Sequence, residues 1–190
     1  MIKRRTGRIA IAAVVAALMA APAAARDAWD AARAGGTHLL MRHAVAPGTG
    51  DPADVTLGDC STQRNLSEAG RQQAERIGRK LVENGVAIDV VLTSQWCRAR
   101  DTAERLGFRP VKDEPALNSF FAGRGDRAEQ TEALKQRIAE FDAAGRKAAM
   151  VSHQVNITAL TGVYPASGEI VVIRLGKDGG ISVEGQIRTD

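Results

Sequence analysis

A chain of 190 residues with 44% hydrophobic and 25% charged side chains has room for one domain with its own core. Its formal charge of +4 invites a nucleic-acid partner, but Lys3, Arg4, Arg5 and Arg8 precede an uncharged run, and taking those four from the 26 basic residues leaves 22 against 22 acidic. The rest of the chain carries neither a basic tail nor a basic stripe interleaved with aromatics, which excludes nucleic acid as a partner class.

The first element is the run IAIAAVVAALMAAPAAA, which has basic residues ahead of it and ends in Ala23-Ala24-Ala25. A basic start, a short apolar stretch and a small-residue cleavage site describe a secretory signal peptide over residues 1–25. The alternative is an uncleaved anchor, for which the run is somewhat short. The expectation is one domain over residues 26–190, periplasmic or secreted, with no membrane attachment after cleavage.

THLLM, 37–41, reads as a short buried strand, followed by a Gly/Pro/Asp-rich loop from Pro47 to about Asp59. Ser67 caps a helix whose Ala74, Ile77 and Leu81 share a face and which stops at Gly85. IDVVLTS, 88–94, is a strand buried on both faces. CRARDTAERLG is a helix ended by Gly107, and residues 110–115 read as a turn between two prolines. A long amphipathic helix then presents Leu134, Ile138 and Phe141. KAAMVS, 147–152, is a third buried strand, QVNITALTG a short helix, and EIVVIRL with GISVEGQI a hairpin through Asp178-Gly179-Gly180. Strands alternating with helices predict a three-layer α/β/α sandwich around a mostly parallel sheet.

In open α/β sheets, ligands bind beyond the carboxyl ends of the strands. Arg42 and His43 follow the first strand, Arg98 lies just after the second, and His153 follows the third. Two arginines and two histidines on one edge repel one another unless an anion sits among them, and a guanidinium fork matches phosphate oxygens. His38 lies an odd number of residues from His43, so it faces the other way and serves packing or the surface.

Other chemistries fall away. The chain has no Gly-x-Ser-x-Gly elbow, no phosphate-binding Gly-rich loop ending in Gly-Lys-Ser/Thr, and no His-Glu-x-x-His. Neither Cys60 nor Cys97 has an arginine six residues downstream, which removes a cysteine-phosphatase loop. No carboxylate stands at metal-ligand spacing from the histidines, so no metal and no other cofactor is expected.

The stretch from Leu40 to Ala44, QRNLSEAGRQQA over 63–74, TSQWCRARDTA over 93–103 and MVSHQVNITAL over 150–160 resemble, in order, the histidine phosphatase superfamily with its phosphoglycerate mutase-like fold. The resemblance implies that His43 takes the phosphoryl group, while Arg42, Arg98 and His153 bind its oxygens. An unprotonated imidazole is a good nucleophile, and a covalent intermediate splits one hard displacement into two easier ones. Arg64 is a further candidate for contact with phosphate or substrate.

The chain departs from the family pattern at Ala44, where glycine is usual, and at Gln95, where proline is usual. It also lacks the family's proton donors. Gln154 follows His153 where phosphatase branches place Asp, and Asn118 and Ser119 stand where mutase-like branches place Glu. Glu114 and Asp126 are the nearest carboxylates. One of them protonates the departing oxygen, or the leaving group needs no acid, as in a phosphoanhydride, acyl phosphate or phosphoramidate. The expected function is hydrolysis of a small phosphorylated substrate in the cell envelope; the alternative is an inactive relative that only holds a phosphorylated ligand. The resemblance also brings Cys60 and Cys97 to the rim of the site, and in an oxidising compartment they are expected to pair.

Overall fold

The computed structural model describes residues 27–189, and the expected signal peptide lies outside them. In chain order the elements are α1 (Ala28–Arg33), β1 (His38–Arg42), α2 (Glu68–Glu83), β2 (Val90–Thr93), α3 (Cys97–Arg105), β3 (Val111–Asp113), α4 (Arg127–Ala143), β4 (Ala148–Ser152), α5 (Gln154–Thr161), β5 (Ile170–Leu175) and β6 (Ile181–Ile187). Single 3-10 turns occupy Cys60–Thr62, Pro115–Leu117 and Phe121–Gly123.

The six strands form one sheet in the order β3-β2-β4-β1-β5-β6. β3, β2, β4 and β1 run parallel, while β5 and β6 pair antiparallel on the far edge. Alternation along the strands divides the core into two slabs. Leu39, Met41, Val91 and Val151 pack with Ile77 and Leu81 of α2 and Ala99 and Ala103 of α3. Leu40, Leu92 and Met150 face Leu134, Ile138 and Phe141 of α4 and Ile157 of α5. Each fully buried Leu or Ile contributes about 2 kcal/mol of transfer free energy, so the two slabs hold helices to both faces of the sheet. This is the three-layer arrangement that the alternation of elements predicts.

Two short elements depart from the sequence reading. α1 has no counterpart in it, and the segment read as a turn contains β3, which pairs with β2 from Val91↔Val111 to Thr93↔Asp113. Three residues between Pro110 and Pro115 show no period, and only an edge position next to β2 makes them a strand. His38 does face away from His43. It is fully buried, its Nε2 lies 3.1 Å from Asp142 Oδ1, and its Nδ1 accepts from Ala148 N at 3.1 Å, tying β1 to β4 and the end of α4.

Candidate active site

The site begins with how α2 grips the chain that leaves β1. Ser67 N donates to Val45 O at 3.0 Å, and Gln73 Oε1 accepts from Val45 N at 3.0 Å. A side chain at Gly70 would fall 2.1 Å from that same carbonyl, so only glycine allows the approach. Across from α2, Thr102 of α3 accepts from Ala44 N at 3.0 Å. Ala44 is fully buried among Ala46, Leu66 and Ala74, and its backbone is not left-handed, so it fills the usual glycine position without strain. The Ser-x-x-Gly-x-x-Gln helix and the Thr102 hydroxyl thus clamp the backbone that carries His43.

His43 is 2% exposed, and its Nδ1 lies 2.7 Å from the carbonyl oxygen of Ala44. A carbonyl only accepts, so Nδ1 carries the hydrogen and Nε2 keeps its lone pair. Arg98 Nε donates to that Nε2 at 3.2 Å. Burial, followed by the charge of Arg98, lowers the His43 pKa to about 3, so the ring is a neutral base at physiological pH.

His153 continues the network. Arg98 Nη2 donates to its Nδ1 at 3.3 Å, its Nε2–H therefore donates to Ser94 Oγ at 2.8 Å, and Ser94 in turn donates to Asn118 Oδ1 at 3.2 Å. Full burial and the charge of Arg98 push His153 well below its ordinary value. The two imidazoles stand edge to face with centroids 5.4 Å apart.

The anion that such a cluster requires is supplied by the protein. Asp51 binds Arg98 through two oxygens, at 2.7 Å from Nη1 and 3.1 Å from Nη2. It also accepts from Arg64 N at 3.2 Å and Trp96 Nε1 at 3.1 Å. Burial raises its pKa, but these bonds and the Arg98 charge outweigh that and hold it below the usual carboxylate value. Burial likewise lowers Arg98, to about 10 despite its partner, which leaves it cationic. Sequence reasoning missed Asp51: the loop also carries Asp54 and Asp59, and no spacing rule selects one of the three.

These groups line one cavity of about 270 Å³ that contains Arg42, His43, Arg64, Arg98 and His153, with Asp51 its one carboxylate among the described residues. Arg42 Nη1 donates to Pro165 O at 3.0 Å, while its buried Nε has no partner. Arg64 Nε donates to Gly50 O at 2.8 Å, and Nη1 also donates to Ala46 O. Arg124 stands exposed on the cavity wall. Four arginines against one carboxylate give a strongly positive pocket that suits a phosphoryl dianion.

The two carboxylates proposed as acids are elsewhere. Glu114 caps the 3-10 turn through Ala116 N and lies 3.2 Å from Arg137, while Asp126 is exposed and caps α4 through Glu129 N at 2.8 Å. Neither lines the cavity, because each is spent at a helix start. Cys60 and Cys97 do form a disulfide, which joins the loop after β1 to the first residue of α3, next to Arg98.

Among solved structures the fold is similar to the protein histidine phosphatase SixA complexed with tungstate, with a TM-score of 0.59 and 20% identity over 80% of this chain and 97% of that one. It is also similar to phosphoserine phosphatase from Entamoeba histolytica in complex with 3-phosphoglyceric acid, with a TM-score of 0.57 and 15% identity over 81% and 98%. By sequence, 63 residues, or 33% of the chain, are 38% identical to 21% of the mitochondrial serine/threonine-protein phosphatase Pgam5 of Drosophila melanogaster. Over 77 residues, or 37% of its length, the chain is 39% identical to 34% of a 2,3-bisphosphoglycerate-dependent phosphoglycerate mutase of Staphylococcus haemolyticus. The chain therefore spans between a fifth and about a third of the length of these two relatives. A family model described as the histidine phosphatase superfamily (branch 1) matches residues 38–153, from the first residue of β1 to the second histidine of the cavity, and the chain belongs to that superfamily.

Proposed function

We propose that the protein is a cofactor-independent phosphohydrolase that passes a phosphoryl group through Nε2 of His43 and acts on a small phosphorylated substrate in the cell envelope. The observation that carries this reading is the state of His43: a neutral imidazole with Nδ1–H committed to a carbonyl and its lone pair on Nε2, in a cavity lined by arginines.

In the first step Nε2 attacks phosphorus, a P–N bond forms, and the bond to the leaving group breaks with its electron pair going to that group. Arg42, Arg64 and Arg98 stabilise the charge on the equatorial oxygens. Arg98 turns Nε–H and Nη2–H from the two imidazoles to these oxygens, and keeps its other side on Asp51. In the second step water attacks the phosphohistidine, the P–N bond breaks, the electron pair returns to Nε2, and phosphate leaves.

Asp51 already accepts four hydrogen bonds and has a lowered pKa, so it does not protonate the departing atom. The substrates that fit are those whose leaving group departs without an acid. SixA is a protein histidine phosphatase, and phosphohistidine, with its P–N bond, belongs to that class. The absence of a free acid at the cavity among the described residues also favours a second reading, a phosphate-ligand-binding relative with little or no turnover. An exported location rests on the signal-like residues 1–25.

The test is single-turnover hydrolysis of an activated aryl phosphate, quenched in alkali. The wild type should carry acid-labile phosphate on nitrogen, and His43→Ala should carry none and lose roughly a thousandfold or more in kcat while remaining folded. Full activity in His43→Ala would refute the mechanism, and absence of turnover in a wild type that still binds the aryl phosphate would favour the binding-only reading.

A further inference from the structure

The geometry points to a leaving-group subsite for an aryl phosphate, whose ring is joined to phosphorus through its phenolic oxygen, built from Phe121 and Tyr164 at the cavity mouth; the inference rests on the phosphohydrolase reading above. Aromatic residues make up only 4% of this chain, and two of them are strongly solvent-exposed, Phe121 at 47% and Tyr164 at 74%. Both line the cavity that holds His43. A large exposed apolar side chain is uninformative when it stands alone, but two rings beside one anion site are informative.

Both rings stand on anchored backbone. Ala122, next to Phe121, is the only non-glycine residue with positive φ among the described residues, at φ 58°. Such a conformation costs about 1–3 kcal/mol and persists only where the surroundings impose it. Here they do: Phe121 N donates to Ser119 Oγ at 3.3 Å, Gln130 Nε2 and Asn156 Nδ2 each donate to Asn118 O at 2.7 Å, and Arg124 Nη2 donates to Pro52 O at 2.9 Å. Phe121 Cε1 lies 3.6 Å from the space that a side chain at Gly50 would fill, next to Asp51. Tyr164 immediately precedes Pro165, whose carbonyl holds Arg42. Each ring is thus tied by a short stretch of chain to the phosphoryl-binding groups.

Among the described residues the cavity's one carboxylate, Asp51, is committed to Arg98, and the chemistry of a site without a free acid leads to the same class. A phenolate, with a conjugate acid near pKa 10, departs with the P–O electron pair and takes its proton from solvent afterwards, whereas an alkoxide needs an acid in the step itself. An aromatic leaving group therefore satisfies both the missing proton donor and the two exposed rings, and offset or edge-on packing against them holds it in line with Nε2.

Phenyl phosphate and acetyl phosphate separate the ring from mere leaving-group quality, because acetate departs readily and has no ring. In the purified protein, Phe121→Ala with Tyr164→Ala should lower the ratio of kcat/KM for phenyl phosphate to that for acetyl phosphate by roughly tenfold, or about 1.4 kcal/mol of transition-state binding. If circular dichroism shows that this pair is unfolded, Phe121→Leu with Tyr164→Leu, apolar but without rings, should lower the same ratio by roughly threefold or more. A ratio within about twofold of wild type in a folded variant overturns the subsite and leaves the phosphohydrolase reading standing. Turnover of neither substrate by the wild type overturns both.

Discussion

Asp51→Asn tests whether the carboxylate holds Arg98 in position. Four N–H groups converge on the two Asp51 oxygens: two from Arg98, one from Trp96 and one from the backbone of Arg64. A carboxylate accepts all four, but an amide offers one oxygen and one NH2 group. In either orientation, that NH2 faces donors that cannot accept from it. Arg98 is 3% exposed and the Asp51 side chain 6%, so the change leaves a buried cation without its counter-ion.

Removing one partner of a buried pair costs about 3–5 kcal/mol. For a domain of this size that lowers Tm by roughly 10 °C. The kinetic effect separates into two parts. An added net positive charge favours the bound dianion, so KM should not rise, while a loosened fork misaligned by about 1 Å costs roughly a hundredfold in kcat. Steady-state kinetics on an aryl phosphate and thermal unfolding at neutral pH measure both quantities. An Asn variant with wild-type Tm and wild-type kcat would refute the positioning role. A variant that lost activity through KM alone would point instead to Asp51 shaping the substrate pocket.

Reduction of the Cys60–Cys97 disulfide, or replacement of both residues by serine, should cost about 4 kcal/mol by chain entropy for a sequence separation of 37, read by urea unfolding; thiol titration of the denatured protein should find none before reductant and two after. Gly70→Ala should lower stability by about 2 kcal/mol or more and kcat with it, because α2 must retreat from Val45 O; an unchanged Tm would show that the helix moves freely. His38, His43 and His153 all have lowered pKa values, so below about pH 6.5 the unfolded chain binds protons that the folded chain refuses, and stability falls as pH drops from there toward the His43 value of about 3. His43→Asn should flatten that slope by up to one proton, and an unchanged slope would mean the ring is already charged in the fold.

The long periodic elements are legible because one physical rule governs each. Ala74, Ile77 and Leu81 recur at helical spacing and are buried, and the apolar runs between turn residues are β1, β2 and β4. From the strand ends alone, Arg42, His43, Arg98 and His153 fall on one edge, and all four line the cavity. Asp51 cannot be found this way, since its role depends on where a long loop folds back, and loop folding leaves no period in a sequence. Glu114 and Asp126 are near the site only along the chain, and a carboxylate just before a helix is as well suited to capping it as to acid catalysis. β3 is hidden by its length and its flanking prolines.

The parallel strands and the segments around them divide the pocket between two kinds of support. His43 and His153 hang from strand ends and Arg98 from the first turn of a helix, all packed into the sheet, while Phe121, Ala122, Arg124 and Tyr164 come from connecting segments whose anchors are a few polar ties. For protein engineering the two parts are separable modules. The side chains of Phe121 and Tyr164 can be diversified to change which molecules are accepted, while the Pro165 carbonyl that holds Arg42 and the ties of Ser119 and Arg124 stay in place. Selection for new substrates would be expected to accumulate changes at those two positions and to leave β1, β4 and the start of α3 untouched.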